Sequence, residues 1–267
     1  MGDRVLCTVD GGVADVRLNR PAKLNALDSE MFAALAETGE ALRAERGLRA
    51  VVLSGEGRSF CAGLDTSAFG AMAQGREWRP AGREPADPGA PSRGQRAVLA
   101  FRDLPVPVIA AVRGHALGGG LQLALGADIR IAAPGAVFAV LEVRWGLVPD
   151  MVGTQLLPRL VGPDVAAELI FTGRRVDAAE AHRIGLVTRI ADDPLAAAHE
   201  LAAEIAARSP DAVRAAKELL AITDYAAGLA AERAAFARLA GSPNQREAAA
   251  ASLARRAPRF ADPEEQP

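Results

Sequence analysis

The sequence is poor in the residues that build metal centres, disulfide frameworks and base-stacking surfaces. Its 267 residues include two cysteines and three histidines, and aromatic residues make up 4%. Cys7 and Cys61 are too few for a disulfide framework or a metal cluster, so we interpret them as reduced thiols. Neither an H-E-x-x-H nor a C-x-x-C pattern occurs, and we therefore expect no bound metal. The scarcity of aromatic residues argues against a surface that stacks nucleic-acid bases.

The sequence also lacks an excess of charge of one sign and any long apolar run. It carries 31 basic and 33 acidic side chains, for a formal net charge of −2, which argues against a nucleic-acid-binding surface. No apolar run approaches the length that crosses a membrane, and no signal peptide opens the chain. We therefore expect a globular protein of the cytoplasm without a nucleic-acid or membrane partner.

Glycine, in contrast, is plentiful, and four glycines fall within residues 114–120, GHALGGG. The apolar run at 108–112 predicts a buried strand before them, and the leucine-rich run at 121–125 predicts a helix after them. Backbone N–H groups at the start of a helix lack intrahelical partners, and glycines let a negatively charged group approach them closely. The spacing fits neither the dinucleotide-binding G-x-G-x-x-G nor the P-loop. The alternative is a crowded helix–strand crossing that needs small residues.

A second loop upstream could form a binding site together with this glycine stretch. Residues 59–65, SFCAGLD, follow another strand-like run at 50–55. Two loops that each leave a buried strand, and each offer free backbone N–H groups, are the components of a two-donor oxyanion hole. Such a hole binds an oxygen atom that becomes negatively charged during a reaction.

Four stretches taken in order resemble the crotonase family, the enoyl-CoA hydratase/isomerase superfamily. They are residues 18–27, 60–65, 114–120 and 142–155, and the resemblance covers essentially the whole chain except residues 66–96. It implies an α/β fold with a crotonase-like ββα spiral core and a C-terminal helical extension. Residues 1–194 would form the core with the acyl-CoA site. Residues 195–267 would form a helical oligomerisation region that packs between the subunits of a homotrimer or homohexamer.

The predicted elements agree with such an order. Strands are predicted at 5–9, 13–18, 48–53, 108–112, 126–132 and 137–140, and a helix capped by Asp28 joins the second strand to the third. This alternation predicts a right-handed crossover and a partly parallel sheet. From Pro149 onward strands become rare, and helices are predicted at 153–160, 163–171, 177–184, 194–208, 210–223 and 227–239.

Residues 66–96 break the regular pattern, because prolines and glycines prevent long regular structure across the second half of this stretch. A loop of this length inside a compact domain is usually functional or disordered. Because it follows Leu64 directly, we expect it to border the acyl pocket and to help set chain specificity. The alternative is a mobile surface loop with no role in selecting the substrate.

The resemblance also implies which groups bind the substrate. The backbone N–H groups of Leu64 and Gly119 would bind the thioester carbonyl oxygen of an acyl-CoA. Coenzyme A would enter as part of the substrate, so no separate cofactor is expected. Lys23 would be available for a phosphate of coenzyme A, although for any one lysine a solvated loop charge is the common alternative. The implied substrate-binding residues are Lys23, Ala26, Ala62, Asp65 and Gln122.

Glu142 is the first candidate catalytic residue. It follows the apolar run at 137–141, so we expect burial to raise the pKa of its carboxyl group toward the range useful for proton transfer near neutral pH. The resemblance implies that it is the catalytic glutamate facing the α and γ carbons of the thioester. From the residues alone, a strand-end charge paired with Arg144 or Arg130 is the alternative.

Gln122 and Asp150 decide which reaction is predicted. Hydratases of this family have a second glutamate at the position of Gln122, and glutamine has no proton-transfer pKa in range. Asp150 resembles the aspartate that works opposite the glutamate in dienoyl-CoA isomerases, and a helix cap is its alternative role. We therefore predict enoyl- or dienoyl-CoA double-bond isomerisation, with Glu142 and Asp150 as catalytic residues. The alternatives are hydration of a 2-enoyl-CoA, C–C bond chemistry, and a catalytically silent acyl-CoA-binding protein.

Overall fold

A six-stranded sheet lies at the centre of the part of the chain that the structure describes. The structure is a computed structural model that describes residues 3–76, 87 and 89–263. The strands of this sheet are β1 (Val5–Asp10), β2 (Val13–Leu18), β3 (Ala50–Gly55), β4 (Val108–Val112), β6 (Ile129–Ala132) and β9 (Arg189–Ile190), hydrogen-bonded in that order. The β1–β2 pair is antiparallel and the other pairs are parallel. The first two predicted strands and the partly parallel sheet are therefore confirmed.

A second, three-stranded sheet lies beside the glycine stretch. It consists of β5 (His115–Leu117), β7 (Val137–Ala139) and β8 (Val176–Asp177). β5 and β7 are parallel, whereas β7 and β8 are antiparallel. β5 was not predicted, because three residues within a glycine-rich turn give too short a hydrophobic pattern to indicate a strand.

The described part of the chain contains eleven α-helices. They are α1 (Ser29–Arg43), α2 (Thr66–Ala73), α3 (Arg93–Arg102), α4 (Gly119–Leu125), α5 (Gly153–Val161), α6 (Pro163–Thr172), α7 (Ala178–Arg183), α8 (Pro194–Ala206), α9 (Pro210–Ala221), α10 (Tyr225–Leu239) and α11 (Pro243–Leu253). Two short 3₁₀-helices, Pro21–Lys23 and Glu142–Trp145, complete the order. The helices predicted after Pro149 are confirmed with small shifts of their ends. α11 was missed, although Ser242 caps it and proline occupies its first position.

Alternate residues of β3 face two separate parts of the core. Val51 belongs to the larger apolar cluster, which includes residues of α1, α3 and α4. Val52 belongs to a smaller cluster on the other face, where it packs with Ala198 and Ala202 of α8. The first helix of the predicted C-terminal region therefore covers the core sheet. The proposed role of residues 195–267 in oligomerisation stays a prediction.

The predicted loop at 66–96 contains regular structure at both ends. α2 begins directly after Asp65, whose side chain accepts a hydrogen bond from the N–H of Ser67. α3 begins after Ser92, which forms a capping box with Gln95. The prediction of a continuous loop was therefore wrong for these ends, because capping residues start helices on either side of the prolines. Residues 77–86 and 88 of the predicted loop lie outside the described residues.

Three residues near the glycine stretch are fixed by hydrogen bonds or by burial. The strand predicted from residue 126 begins at Ile129, because the N–H groups of residues 126 and 127 still bond to carbonyls of α4. The Asp128 carboxylate accepts hydrogen bonds from the N–H of Val108 and from Lys217. His115 is hydrogen-bonded to Ser59, with 3.0 Å between Nδ1 and Oγ. Cys61 is fully buried, and burial raises the pKa of its thiol to about 12. Among the described residues, no helix is long and apolar enough to cross a membrane.

Candidate functional site

The two loops that could form an oxyanion hole are bonded to each other. Cys61 pairs with Ala116 in a parallel bridge, and the N–H of Leu117 donates to the carbonyl of Cys61 at 3.1 Å. The loop glycines allow this approach: a Cβ on Gly63, whose φ is +89°, would lie 2.6 Å from the carbonyl oxygen of Leu117 and 3.6 Å from the nitrogen of Gly119. The chain segments that carry the two predicted donors therefore lie in direct contact.

Leu64 and Gly119 each present a backbone N–H without a protein acceptor in the described part of the chain. The donor that follows Leu64 and the donor that precedes Gly119 are occupied, since the N–H of Asp65 bonds to Leu27 and that of Gly118 to Ala139. Gly119 is the first residue of α4, so its N–H has no intrahelical acceptor. Leu64 and Gly119 line one cavity of about 480 Å³. The pair of donors can therefore stabilise an anionic oxygen in that cavity.

The cavity is walled mainly by apolar side chains from α2 and from the segment between β7 and α5. These include Phe69, Met72, Trp145, Leu147, Val148 and Met151. Four polar residues also line it, namely Thr66, Ser92, Glu142 and Asp150. Sequence reasoning missed the aromatic and methionine residues of this wall, because no local pattern separates a pocket-lining apolar residue from one in the core.

Glu142 lies at the start of a 3₁₀-helix, with one carboxylate oxygen bonded and the other without a partner. Oε1 accepts a hydrogen bond of 2.7 Å from Nε2 of Gln122. Oε2 is buried and has no hydrogen-bond partner among the described residues. Burial raises the pKa of the Glu142 carboxyl, and the charge of Asp150 raises it further. This supports a proton-transfer role for Glu142.

The alternative predicted for Glu142, a strand-end charge paired with Arg144 or Arg130, finds no support. Arg130 is buried and donates to the carbonyls of Leu186 and Ala127. Within the described ranges, neither arginine forms an ion pair with Glu142. The carboxylate is therefore held by an amide rather than by a positive charge.

Gln122 is 1% exposed, and both ends of its amide are engaged. Nε2 donates to Glu142, while Oε1 accepts hydrogen bonds from the N–H groups of Met151 at 2.8 Å and Gly153 at 3.0 Å. Position 122 requires a side chain that donates at one end and accepts at the other. An ionised glutamate can only accept, so it cannot replace the glutamine here. Gln122 therefore fixes the orientation of the Glu142 carboxylate.

Asp150 lines the same cavity as Glu142 and lies at the exposed surface. The capping role considered for it is wrong, because the N-cap residue of α5 is Val152, which has a φ of +69° and makes no side-chain cap. Asp150 is close enough for its charge to raise the pKa of Glu142. The structure thus brings both predicted acids to one cavity.

Most of the residues expected to contact coenzyme A do not line the cavity that contains Glu142 and Asp150. Ala62 lines the cavity, whereas Lys23, Ala26 and Asp65 are outside its lining. Lys23 is exposed, and the carbonyl of Ala26 accepts a hydrogen bond from Arg20. Asp65 caps α2 and binds Arg20, and these hydrogen bonds lower the pKa of its carboxyl to about 2. Substrate contacts by these residues stay predictions.

The chain is similar over nearly its whole length to known proteins of one family. Residues 8–263 match the family model described as Enoyl-CoA hydratase/isomerase. YngF of Bacillus subtilis, assigned by name to the enoyl-CoA hydratases/isomerases, is 40% identical over 254 residues, which is 92% of this chain and 94% of YngF. The human "Enoyl-CoA hydratase domain-containing protein 2, mitochondrial" is 37% identical over 268 residues, with 96% and 88% covered.

Solved structures agree with this similarity. A crystal structure of an enoyl-CoA hydratase from Bacillus anthracis superposes with a TM-score of 0.85 at 33% identity, covering 96% of this chain and 98% of that one. The structure titled "Structural of Pseudomonas aeruginosa DspI" gives a TM-score of 0.84 at 33% identity, with 97% of each chain covered. The predicted α/β fold of crotonase type is confirmed.

Proposed function

Because the chain belongs to the enoyl-CoA hydratase/isomerase family, we propose that it moves a carbon–carbon double bond within an enoyl- or dienoyl-CoA thioester. Coenzyme A would be part of the substrate, and the reaction would need no other cofactor. The observation that carries this proposal is the hydrogen bond from the Gln122 amide to Glu142. It leaves one carboxylate oxygen, Oε2, for proton transfer and supplies no second carboxyl group at position 122.

The backbone half of the site would stabilise the intermediate. The thioester oxygen would accept hydrogen bonds from the N–H groups of Leu64 and Gly119. Negative charge grows on that oxygen when the α proton leaves, and donors already in position stabilise it without reorganisation. The positive end of the α4 dipole contributes in the same direction.

Glu142 would carry the proton between two carbons. As a carboxylate it removes a proton from the α carbon of a 3-enoyl thioester, and the C–H electrons form a dienolate. The same carboxyl group then returns the proton to the γ carbon, which gives the 2-enoyl thioester. No atom is gained or lost, so one acid–base group is sufficient. Burial that raises the pKa of Glu142 makes its carboxylate a stronger base and so favours removal of the α proton.

Hydration is the second candidate, because Asp150 lines the cavity together with Glu142 and relatives carry hydratase names. Adding water requires a group that activates the water and a group that protonates the carbon. Asp150 could supply the second carboxyl group in place of position 122. Asp150 is exposed to solvent, which makes it less suited than a second buried carboxyl group to hold a single water molecule beside Glu142.

Product analysis with purified protein tests the proposal. A 3-enoyl-CoA and a 2-enoyl-CoA of equal length are supplied separately, and the products are separated by chromatography. We expect the 2-enoyl isomer from the first and little 3-hydroxyacyl-CoA from the second. Glu142→Gln should remove the activity, whereas Glu37→Gln, the same change at an exposed position of α1, should leave it intact.

Two other outcomes would contradict isomerisation. Faster formation of 3-hydroxyacyl-CoA from the 2-enoyl substrate than isomerisation of the other substrate would favour a hydratase. Binding of acyl-CoA without any product would favour the catalytically silent binding protein.

We also propose that the chain forms a homotrimer or homohexamer through its C-terminal helices. α10 has no buried residue, and Tyr225, Phe236 and Leu253 are 81%, 76% and 88% exposed. Large apolar side chains exposed together on a surface commonly mark an interface. Light scattering should give three or six times the chain mass of 27.7 kDa. A monomer at micromolar concentration would contradict this proposal.

A further inference from the structure

Two aromatic side chains from separate parts of the chain stack against each other in the wall of the cavity. Phe69 lies on α2 and Trp145 ends the 3₁₀-helix Glu142–Trp145. Their ring centroids are 3.9 Å apart and the ring planes differ by 14°. Both residues line the cavity that contains Leu64, Gly119 and Glu142. Nothing in the proposed reaction uses this pair.

Each residue of the pair lies about one helical turn along the chain from a group proposed for the chemistry. Phe69 is in the first turn of α2, which starts two residues after Leu64. Trp145 is three residues after Glu142, which is one turn of a 3₁₀-helix. An acyl chain whose thioester lies at Leu64, and whose α and γ carbons pass Glu142, would continue toward these two rings.

The spacing of the rings prevents a chain from passing between them. Carbon atoms in contact lie about 3.5–4.0 Å apart, so two rings whose centroids are 3.9 Å apart already touch. An alkyl chain between them would need about twice this separation. Trp145 is 54% exposed and also lines the cavity, so the stack lies at an edge of the cavity. Because the rings touch, they leave no passage for an alkyl chain at this point.

We propose that the Phe69–Trp145 stack is the stop that limits the length of the acyl chain. This inference rests on the proposed function, because it takes the substrate to be an acyl-CoA thioester with an apolar chain. Chains that end before the stack are buried completely among the apolar residues of the cavity. Longer chains must bend or displace the rings, and their additional methylene groups gain no burial. Phe69 and Trp145 are then specificity-determining residues for the same site.

Binding of saturated acyl-CoA thioesters tests the stop without requiring turnover. Affinities of butanoyl-, hexanoyl-, octanoyl-, decanoyl- and dodecanoyl-CoA are measured by calorimetry for the wild type, Phe69→Ala, Phe69→Leu and Trp145→Ala. Phe171→Ala is the matched control, because Phe171 is 73% exposed and lies outside the cavity lining. Thermal unfolding of each variant, together with its affinity for butanoyl-CoA, identifies variants that have lost the fold.

We expect the wild-type affinity to rise with chain length and then to level off or fall. In Phe69→Ala and Trp145→Ala the affinity ratio of dodecanoyl-CoA to hexanoyl-CoA should rise by about tenfold or more, which corresponds to roughly two more methylene groups removed from water. Phe69→Leu refills part of the space and should give a smaller rise. The control should keep the wild-type ratio.

If all variants still bind butanoyl-CoA and have the same affinity ratio of dodecanoyl-CoA to hexanoyl-CoA, the proposed stop is wrong. If the affinities change with chain length as expected but the protein moves no double bond, that result would support the stop and refute the proposed isomerisation. Failure of the wild type to bind any acyl-CoA would overturn both.

Discussion

The oxyanion half of the site is built from backbone, whereas the carboxylate half is built from side chains. Leu64 and Gly119 offer N–H groups whose directions follow from two loops bonded together through Cys61 and Ala116. Glu142, in contrast, is oriented by one amide that reaches it from α4. The first half depends on whether the chain can approach itself closely. The second half depends on one hydrogen-bonded side chain, so its properties can change through single substitutions.

The largest expected effect comes from breaking the backbone half at Gly63. Gly63→Ala would put a Cβ 2.6 Å from the carbonyl oxygen of Leu117, at a φ of +89°. The loop must shift and move the N–H of Leu64, and loss of one oxyanion donor typically lowers the rate by about 10²–10³. Steady-state kinetics with a 3-enoyl-CoA should show this fall in kcat/KM.

Gly11→Ala is the control for this change. Gly11 also has a positive φ, +55°, but a Cβ there would meet no atom within 4 Å. It should therefore cost some stability through backbone strain and leave kcat/KM unchanged. Equal activities of the two variants would contradict a backbone-built oxyanion hole at Leu64.

A smaller effect is expected from breaking the side-chain half at Gln122. Gln122→Met keeps the volume but removes the donor to Glu142 and the acceptor for Met151 and Gly153. Misplacement of the base should lower kcat by up to about a hundredfold. The unpaired N–H groups should reduce stability by about 1–3 kcal/mol, measured by urea unfolding.

The pH profile separates positioning from a merely structural role for Gln122. The hydrogen bond from Gln122 lowers the pKa of Glu142 against the larger effect of burial. Its loss should therefore raise that pKa further. Because the base acts when ionised, the acidic limb of kcat should move to higher pH. A variant that loses stability but keeps the wild-type limb would show that Gln122 does not act on Glu142.

The smallest expected effect is that of Asp150→Asn, which should shift the pKa of Glu142 in the opposite direction to Gln122→Met. The negative charge of Asp150 raises the pKa of Glu142, so its removal should lower that pKa and move the acidic limb of kcat to lower pH. The rate of isomerisation on the plateau should change little. A large loss of rate, or a shift of the limb to higher pH, would assign Asp150 a direct part in the chemistry.

The same division explains how far the sequence alone could predict the site. For the backbone half, glycines after two buried strands predict loops with free N–H groups, and the resemblance to the crotonase family assigns the two donors to Leu64 and Gly119. The contact of Gln122 with Glu142, Met151 and Gly153 joins residues that lie 20 to 31 positions apart. Only the folded chain brings these residues together, so no local pattern predicts the contact.

The sequence alone predicts the fold to a similar extent. The β-hairpin, the capped helix α1 and the C-terminal helices follow from turn residues, Asp28 and repeated proline starts. α2 was hidden, because its capping residue Asp65 belongs to the glycine-containing loop and its sequence precedes a stretch rich in proline. The stack of Phe69 on Trp145 could not be predicted, since it depends on that helix. The cytoplasmic location and the absence of a cofactor or metal stay predictions.

Proton exchange with solvent tests most directly the claim that Glu142 alone carries the proton. A 3-enoyl-CoA is incubated in heavy water with the wild type or with Glu142→Gln, and deuterium at the α and γ carbons is followed by NMR. We expect exchange and double-bond migration in the wild type, the loss of both in Glu142→Gln, and no 3-hydroxyacyl product. Exchange that persists in Glu142→Gln, or 3-hydroxyacyl-CoA formed at a rate near that of exchange, would contradict the account.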